Sequence, residues 1–104
     1  MEKLRKAILE FREERDWKQF HTPENLAKSI VIESAELLEC FQWNSNYNKE
    51  EVEEEVADVF NYLILLEAEL GIDLIEVTKK KLEKNREKYS IENSKGNSKK
   101  YTKF

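Results

Sequence analysis

Cysteine, proline and histidine each occur once in this sequence of 104 residues, and glycine occurs twice. So few turn-forming residues argue against a β-sandwich or a β-barrel, both of which need many tight turns. The single cysteine, Cys40, excludes an intramolecular disulfide and a zinc site built from cysteines. The single histidine, His21, excludes a bundle with paired Glu-x-x-His iron ligands. The length allows one domain and is too short for two independent cores.

Long apolar runs are also lacking. The longest nearly apolar stretches, around 30–32 and 59–66, are too short to cross a bilayer, and the charged N-terminus has no apolar signal core. Cysteine usage permits a reducing compartment. We therefore expect a cytoplasmic protein without a membrane partner.

Charge is abundant and unevenly distributed. Between Glu33 and Glu69 there are eleven acidic residues and one base, Lys49, whereas the tail after Ser90 is basic. The acidic middle repels a nucleic-acid backbone, so no nucleic-acid polymer is expected as a partner. Acids attract cations and a basic tail attracts phosphates, which suggests a metal-bridged anionic ligand. A solvated acidic face with a disordered basic end explains the same charges.

Helix signals follow one another along the chain. Apolar residues at three- and four-residue spacing predict a first helix that ends near Arg15. Thr22-Pro23, Asn48 and Asp73 are typical helix starts, and Gly71 is a typical helix end. The predicted second, third and fourth helices therefore run over 23–41, 49–70 and 74–89.

These signals predict an all-α fold, a four-helix antiparallel bundle that is completed by oligomerisation. Residues 1–89 would form the helical domain. Residues 90–104 show no periodicity and would form an extended basic C-terminal arm of the same domain.

Two predicted helices each carry a pair of acids three residues apart. In the second helix, Glu33 lies about 60° from the apolar stripe and Glu36 lies one step further round. In the third helix, Glu55 and Asp58 lie in the same way beside a predicted buried stripe formed by Val52, Val56, Val59, Leu63, Leu66 and Leu70.

No base follows any of these four acids at the i+4 position. Four carboxylates near an apolar interior would repel one another, and a divalent cation would offset the conflict. Oxygen ligands without histidine favour magnesium, manganese or calcium over zinc. An ordinary solvent boundary between two helices remains the alternative.

The same residues carry a family resemblance. Glu33-x-x-Glu36, followed after eighteen residues by Glu55-x-x-Asp58, resembles the signature of the MazG-like all-α nucleoside triphosphate pyrophosphohydrolases. With RDWKQFH, FQW and the KG-x-S-x-KYT tail, the chain is most similar to the dCTP pyrophosphatase branch. Ser90 departs from the family, which usually has proline there.

The resemblance implies Mg²⁺-dependent hydrolysis of a nucleoside triphosphate, dCTP or a cytosine analogue, to the monophosphate and pyrophosphate, as nucleotide-pool cleaning. Mn²⁺ is the implied substitute metal. The resemblance further implies that the metal ligands are Glu33, Glu36, Glu55 and Asp58. Glu36, which lies toward the open side, is the preferred general base, with Glu33 as the second catalytic residue.

The resemblance also implies a set of substrate-binding residues. Flat rings can sandwich a base, while amides and backbone groups read its edge. The implied residues are Trp17, Lys18, Gln19, Phe20, His21, Trp43, Tyr62, Lys81, Asn85 and Lys95, with Arg86 and Lys99 as further candidates. Contact with phosphate and bracing of the acidic helices are equal alternatives for Lys81, Asn85 and Arg86.

Family members form dimers or dimers of dimers, so a homotetramer is favoured over a dimer. Two other functions stay open. One is a different nucleotide specificity within the family, and the other is a non-catalytic helical module whose acidic face binds a basic protein.

Overall fold

The computed structural model describes residues 1–43, 46–89, 91 and 96. Within these residues the regular structure is helical, without a strand. The predicted all-α class is therefore confirmed, and the helix ends agree with the sequence prediction within about two residues. The helices are α1 (Glu2–Glu14), a 3-10 helix (Lys18–Phe20), α2 (Pro23–Glu39), α3 (Lys49–Leu70) and α4 (Leu74–Lys88).

The helix starts and stops form as the sequence chemistry dictates. The side chains of Thr22, Asn48 and Asp73 accept hydrogen bonds from backbone N–H groups in the first turns of α2, α3 and α4. Gly71 ends α3 in the left-handed conformation, with φ of 64°. A side chain would be strained there, which is why glycine suits this position.

The chain divides into two compact units, Met1–Gly71 and the remainder from Ile72 onward. In the first unit, α3 packs extensively against α2 and less extensively against α1. Leu26 of α2 and Ile64 of α3 are almost completely buried, and Leu65 is 7% exposed. The described part of the second unit contains the helix α4. The bundle, its completion by oligomerisation and the division into 1–89 and 90–104 stay predictions.

The predicted buried stripe of α3 is wrong in part. Val56 and Leu70 are half exposed, whereas Ile64 and Leu65, which lie off that stripe, are buried. The reason is that α3 has helices on two sides. Contact with α1 buries side chains that a single amphipathic stripe leaves facing solvent.

Two arginine–glutamate ion pairs join α1 to α3. Arg5 binds Glu67 through two contacts of 2.9 Å, from Nε to Oε1 and from Nη2 to Oε2. Arg12 Nη1 donates to Glu69 Oε1 at 2.7 Å. Arg12 and Glu67 are 4% and 6% exposed, so each of these buried charges has a charged partner.

Candidate metal centre and adjacent cavity

The two acid pairs meet where α2 packs on α3. One carboxylate oxygen each from Glu33, Glu55 and Asp58 lies within 4.8 Å of the others. The carboxyl group of Glu36 lies within hydrogen-bonding reach of both Glu33 and Glu55. We call these four residues the acidic cluster. The i, i+3 spacing in each helix produces this convergence, because it places both acids of a pair on one flank.

The acidic cluster disfavours its own negative charge. Burial, the hydrogen bond with Glu36 and the charges of the neighbouring acids raise the pKa of Glu33 from 4.5 to about 7. Burial, followed by the charge of Glu36, also raises the pKa of Glu55. The cluster is thus electrostatically strained at neutral pH.

Two oxygens of the cluster have no hydrogen-bond partner. Glu33 Oε2 and Glu55 Oε2 are both buried and unpaired. Across residues 1–43 and 46–89, no lysine or arginine forms an ion pair with any of the four acids. Unpartnered buried carboxylate oxygens are costly, and a bound cation would satisfy them. An all-carboxylate donor set suits a hard divalent cation such as Mg²⁺ or Mn²⁺.

A cavity of about 460 Å³ adjoins the cluster through Asp58. Its volume is in the range of sites that hold small organic ligands. Most of the wall is apolar or aromatic, with a few polar side chains. The lining residues are Ala7, Ile8, Phe11, Arg12, Trp17, His21, Asp58, Asn61, Tyr62 and Leu65.

One wall of the cavity is an ordered aromatic pair. The rings of Phe11 and Trp17 meet edge to face, with centroids 5.8 Å apart and planes at 72°. The guanidinium carbon of Arg15 lies 3.6 Å from the centroid of the Phe11 ring. Trp17 stays 44% exposed, so part of its ring is available to a flat ligand.

His21 contributes a polar group to the same cavity. Its Nδ1 is buried and has no hydrogen-bond partner. Burial, and then the positive charge of Arg12, lowers the pKa of His21, while Glu69 acts in the opposite direction. His21 is therefore neutral at pH 7, when an imidazole offers one donor and one acceptor.

The cavity brings together three of the residues that the family resemblance implied, Trp17, His21 and Tyr62. Lys18, Gln19 and Phe20 form the 3-10 helix and are exposed. The Gln19 amide donates to the Asp16 carboxylate at 3.0 Å.

The other implied substrate-binding residues are not among the described residues that line the cavity. Trp43 is 87% exposed and is not part of the cavity wall. Lys81 and Asn85 lie on α4 in the second unit, where Arg86 pairs with Glu83 at 2.6 Å. Lys95 and Lys99 lie outside the described residues, as does Ser90.

Sequence reasoning missed Arg12 and Asn61 in the cavity wall. Asn61 follows Asp58 by three residues, so its place on the same side of α3 was available from helical spacing. Arg12 follows Arg5 by seven residues, which is two helical turns. This spacing on α1 was the signal that both arginines lie on one face of the helix.

The fold and site together define an all-α protein with a carboxylate cluster suited to a divalent cation beside a cavity for a small molecule. Residues 28–104 match the model of the MazG-like family. A crystal structure of a pyrophosphatase from Archaeoglobus fulgidus is similar with a TM-score of 0.82 and 48% identity, covering 86% of this chain and 92% of that one.

Curated relatives give the same result. The chain is 38% identical over 112 residues to dCTP pyrophosphatase 1 of Mus musculus and 36% identical to dCTP pyrophosphatase 1 of Homo sapiens. Each alignment covers 98% of this chain and 66% of the relative, so the chain spans slightly less than two thirds of their length.

This chain belongs to the MazG-like family. The resemblance to this family that the four acids and the neighbouring motifs indicated is thus confirmed. In the part of the chain that the structure describes, no helix is both long enough and apolar enough to span a membrane.

Proposed function

We propose that this protein hydrolyses a nucleoside triphosphate between the α and β phosphates, releasing a monophosphate and pyrophosphate. The observation that carries this function is the pair of buried, unpartnered oxygens of Glu33 and Glu55 beside the cavity at Asp58. A polyphosphate bound to cations at the acidic cluster would have its nucleoside within reach of that cavity.

Glu33, Glu36, Glu55 and Asp58 would hold Mg²⁺, with Mn²⁺ as a substitute. A bound divalent cation neutralises phosphate charge, polarises the α-phosphorus and lowers the pKa of water. Support for these ligands is the convergence of oxygens from Glu33, Glu55 and Asp58, and the absence of hydrogen-bond partners on the buried oxygens of Glu33 and Glu55.

The proposed general base is Glu36, and Glu33 is the second proposed catalytic residue. Glu36 is exposed, whereas Glu33 is partly buried. A carboxylate on the open side that is not fully committed to a cation can take a proton from the attacking water.

The nucleoside would occupy the cavity, with its base against Trp17 and its polar edge near His21. Tyr62 lies one helical turn beyond Asp58 and would connect the metal site to the nucleoside pocket. Further substrate contacts, proposed from the family resemblance, come from Lys18, Gln19, Phe20, Trp43, Lys81, Asn85 and Lys95.

The proposed substrate is dCTP or a cytosine analogue. Support comes from the mammalian relatives, which are dCTP pyrophosphatases at 36–38% identity. Another nucleotide specificity is the alternative, because stacking on an aromatic wall suits every base. Such hydrolysis would clean nucleotide pools in the cytoplasm, where nucleoside triphosphates are made.

We expect a homotetramer, with a dimer as the alternative. Support comes from large exposed apolar side chains on α2, where Val31, Ile32 and Leu38 are 69%, 59% and 70% exposed. Several solvent-exposed apolar side chains on one helix are typical of a surface that binds another subunit.

The direct test is pyrophosphate release from the eight common NTPs and dNTPs with Mg²⁺. We expect turnover to be highest with dCTP and to fall at least about a hundredfold in Glu33→Gln, because cation binding supplies several kcal/mol of stabilisation. Glu39→Gln, an exposed change on the same helix, is the matched control. A wild-type protein that turns over none of the eight would favour the acidic interaction module instead.

A further inference from the structure

Arg12 is a buried charge in the cavity wall that the proposed reaction does not use. It is 4% exposed, and its guanidinium contacts Glu69 at 2.7 Å and Glu13 at 3.3 Å. A guanidinium is always protonated in proteins, so removing it from water is costly and needs compensation. Packing alone does not explain why a buried guanidinium lies in the wall of this cavity.

The Glu69 partner lies on the face of α3 that lines the cavity. Asp58, Tyr62, Leu65 and Glu69 are spaced by four, three and four residues, which keeps all of them within an arc of about 60° on a helix. The first three line the cavity, and Glu69 follows them on the same face of the helix. The Arg12–Glu69 pair therefore ties α1 to the helix that carries Asp58 and Tyr62.

The backbone of Arg12 also fixes the turn that delivers Trp17. Its carbonyl oxygen accepts hydrogen bonds from the N–H groups of Arg15 and Trp17, both at 3.2 Å. Between them, Asp16 has φ of 54°, a left-handed conformation that costs energy in a residue other than glycine. Trp17 reaches the cavity through this strained turn, so its position depends on where Arg12 is held.

His21 depends on the same charges. It follows the 3-10 helix, and its backbone N–H donates to the Lys18 carbonyl at 3.0 Å. The charges that act on its ring are those of Arg12 and Glu69. Arg12 Nε and His21 Nδ1 are both buried without a hydrogen-bond partner. The ion pair is thus linked to both an aromatic and a polar residue of the wall, Trp17 and His21.

We propose that Arg12, held by Glu69, is a positioning residue that fixes Trp17 and His21 in the geometry that binds the nucleoside. This role rests on the function proposed above. The ion pair acts on substrate binding and leaves the acidic cluster unchanged.

The test compares Arg12→Met with Arg5→Met. The two arginines make the two ion pairs between α1 and α3, but only Arg12 lines the cavity. We expect Arg12→Met to raise KM for the nucleotide about tenfold or more, as misplaced binding groups do, with kcat changed less than about threefold. Arg5→Met should lower stability and leave KM unchanged. Equal changes of KM at equal loss of stability would overturn the proposal.

A second measurement does not need turnover. In a Trp43→Phe background, Trp17 is the sole tryptophan, and its emission reports its surroundings. We expect Arg12→Met to shift this emission to the red and to increase quenching by acrylamide, while Arg12→Lys, which keeps a charge for Glu69, restores most of the wild-type spectrum. Arg5→Met should leave the spectrum unchanged.

If Arg12→Met does not fold, Glu69→Gln tests the same pair and should give the same red shift. An unchanged Trp17 spectrum in a folded variant would contradict the positioning role. Failure of the proposed function is a different result, since it would appear as a wild-type protein without nucleotide turnover and would leave the fluorescence comparison intact.

Discussion

The two halves of α3 treat their acids in opposite ways. Near its C-terminal end, Glu67 and Glu69 are held by Arg5 and Arg12 at 2.7–2.9 Å. Near its N-terminal end, Glu55 is partly buried as well, yet it faces other carboxylates and has a buried oxygen with no partner. One helix thus carries satisfied and unsatisfied acids a few turns apart.

This difference separates acids that stabilise the fold from acids that would bind a cation. A buried carboxylate with an arginine partner needs nothing else, and its removal harms the fold. A carboxylate whose neighbours are other carboxylates destabilises the fold until a cation binds, so its removal harms a function instead. Burial alone would not distinguish the two groups, whereas their partners do.

The largest expected effect is on stability at the paired end. Glu67→Gln removes the buried charged partner of Arg5, which then keeps its 2.6 Å contact with the exposed Glu2, and we expect the free energy of unfolding to fall by about 3 kcal/mol. Urea denaturation measures this change. Glu53→Gln breaks an exposed contact of 3.9 Å with Lys49 and should change stability by less than about 0.5 kcal/mol. A similar small effect for Glu67→Gln would contradict the comparison.

In protein freed of metal by EDTA, replacing an acid of the acidic cluster should raise the free energy of unfolding instead of lowering it. The pKa of Glu33 in the folded protein is about 7, above its ordinary value of 4.5, so the folded state binds more protons between these values. The free energy of unfolding therefore falls as pH rises from about 4.5 to 7. Glu33→Gln should make this fall less steep and stabilise the metal-free protein at pH 8.

Urea denaturation at pH 5 and pH 8 checks this effect. Glu24→Gln removes an exposed acid that pairs with Lys28 at 3.2 Å on the same helix, and it should leave the pH dependence unchanged. A wild-type protein that gains stability between these two pH values would show that Glu33 is not strained.

The smallest effect on stability is expected for Trp43. Because this side chain is 87% exposed, Trp43→Ala should change the free energy of unfolding by less than about 0.5 kcal/mol. If Trp43 contacts the nucleotide, the same variant should weaken nucleotide affinity severalfold, which calorimetric titration measures. A large loss of stability would make Trp43 a structural residue.

Local chemistry made much of this fold predictable. Thr22, Asn48 and Gly71 mark helix ends through hydrogen bonds and backbone angles that depend on a few neighbouring residues. The shared flank of each acid pair was also predictable, because i, i+3 spacing without bases at i+4 fixes a flank and leaves charge uncompensated, and oxygens of Glu33, Glu55 and Asp58 do lie together.

Features that depend on which helices pack together were not predictable. The Arg12–Glu69 pair joins residues 57 positions apart, so no spacing rule brings them together. The burial of Ile64 and Leu65 follows from α1 packing on a second side of α3, which a one-sided stripe does not show. The place of Arg12 in the cavity wall was missed for the same reason.

The central claim is that the acidic cluster holds a divalent cation. Manganese binding followed by electron paramagnetic resonance tests it directly, because the signal of free Mn²⁺ falls as the ion binds. We expect the wild-type protein to take up Mn²⁺ and Glu33→Gln to lose most of that uptake, while Glu67→Gln, measured under conditions where it is folded, keeps it. Equal uptake by wild type and Glu33→Gln, or none by wild type, would contradict the account.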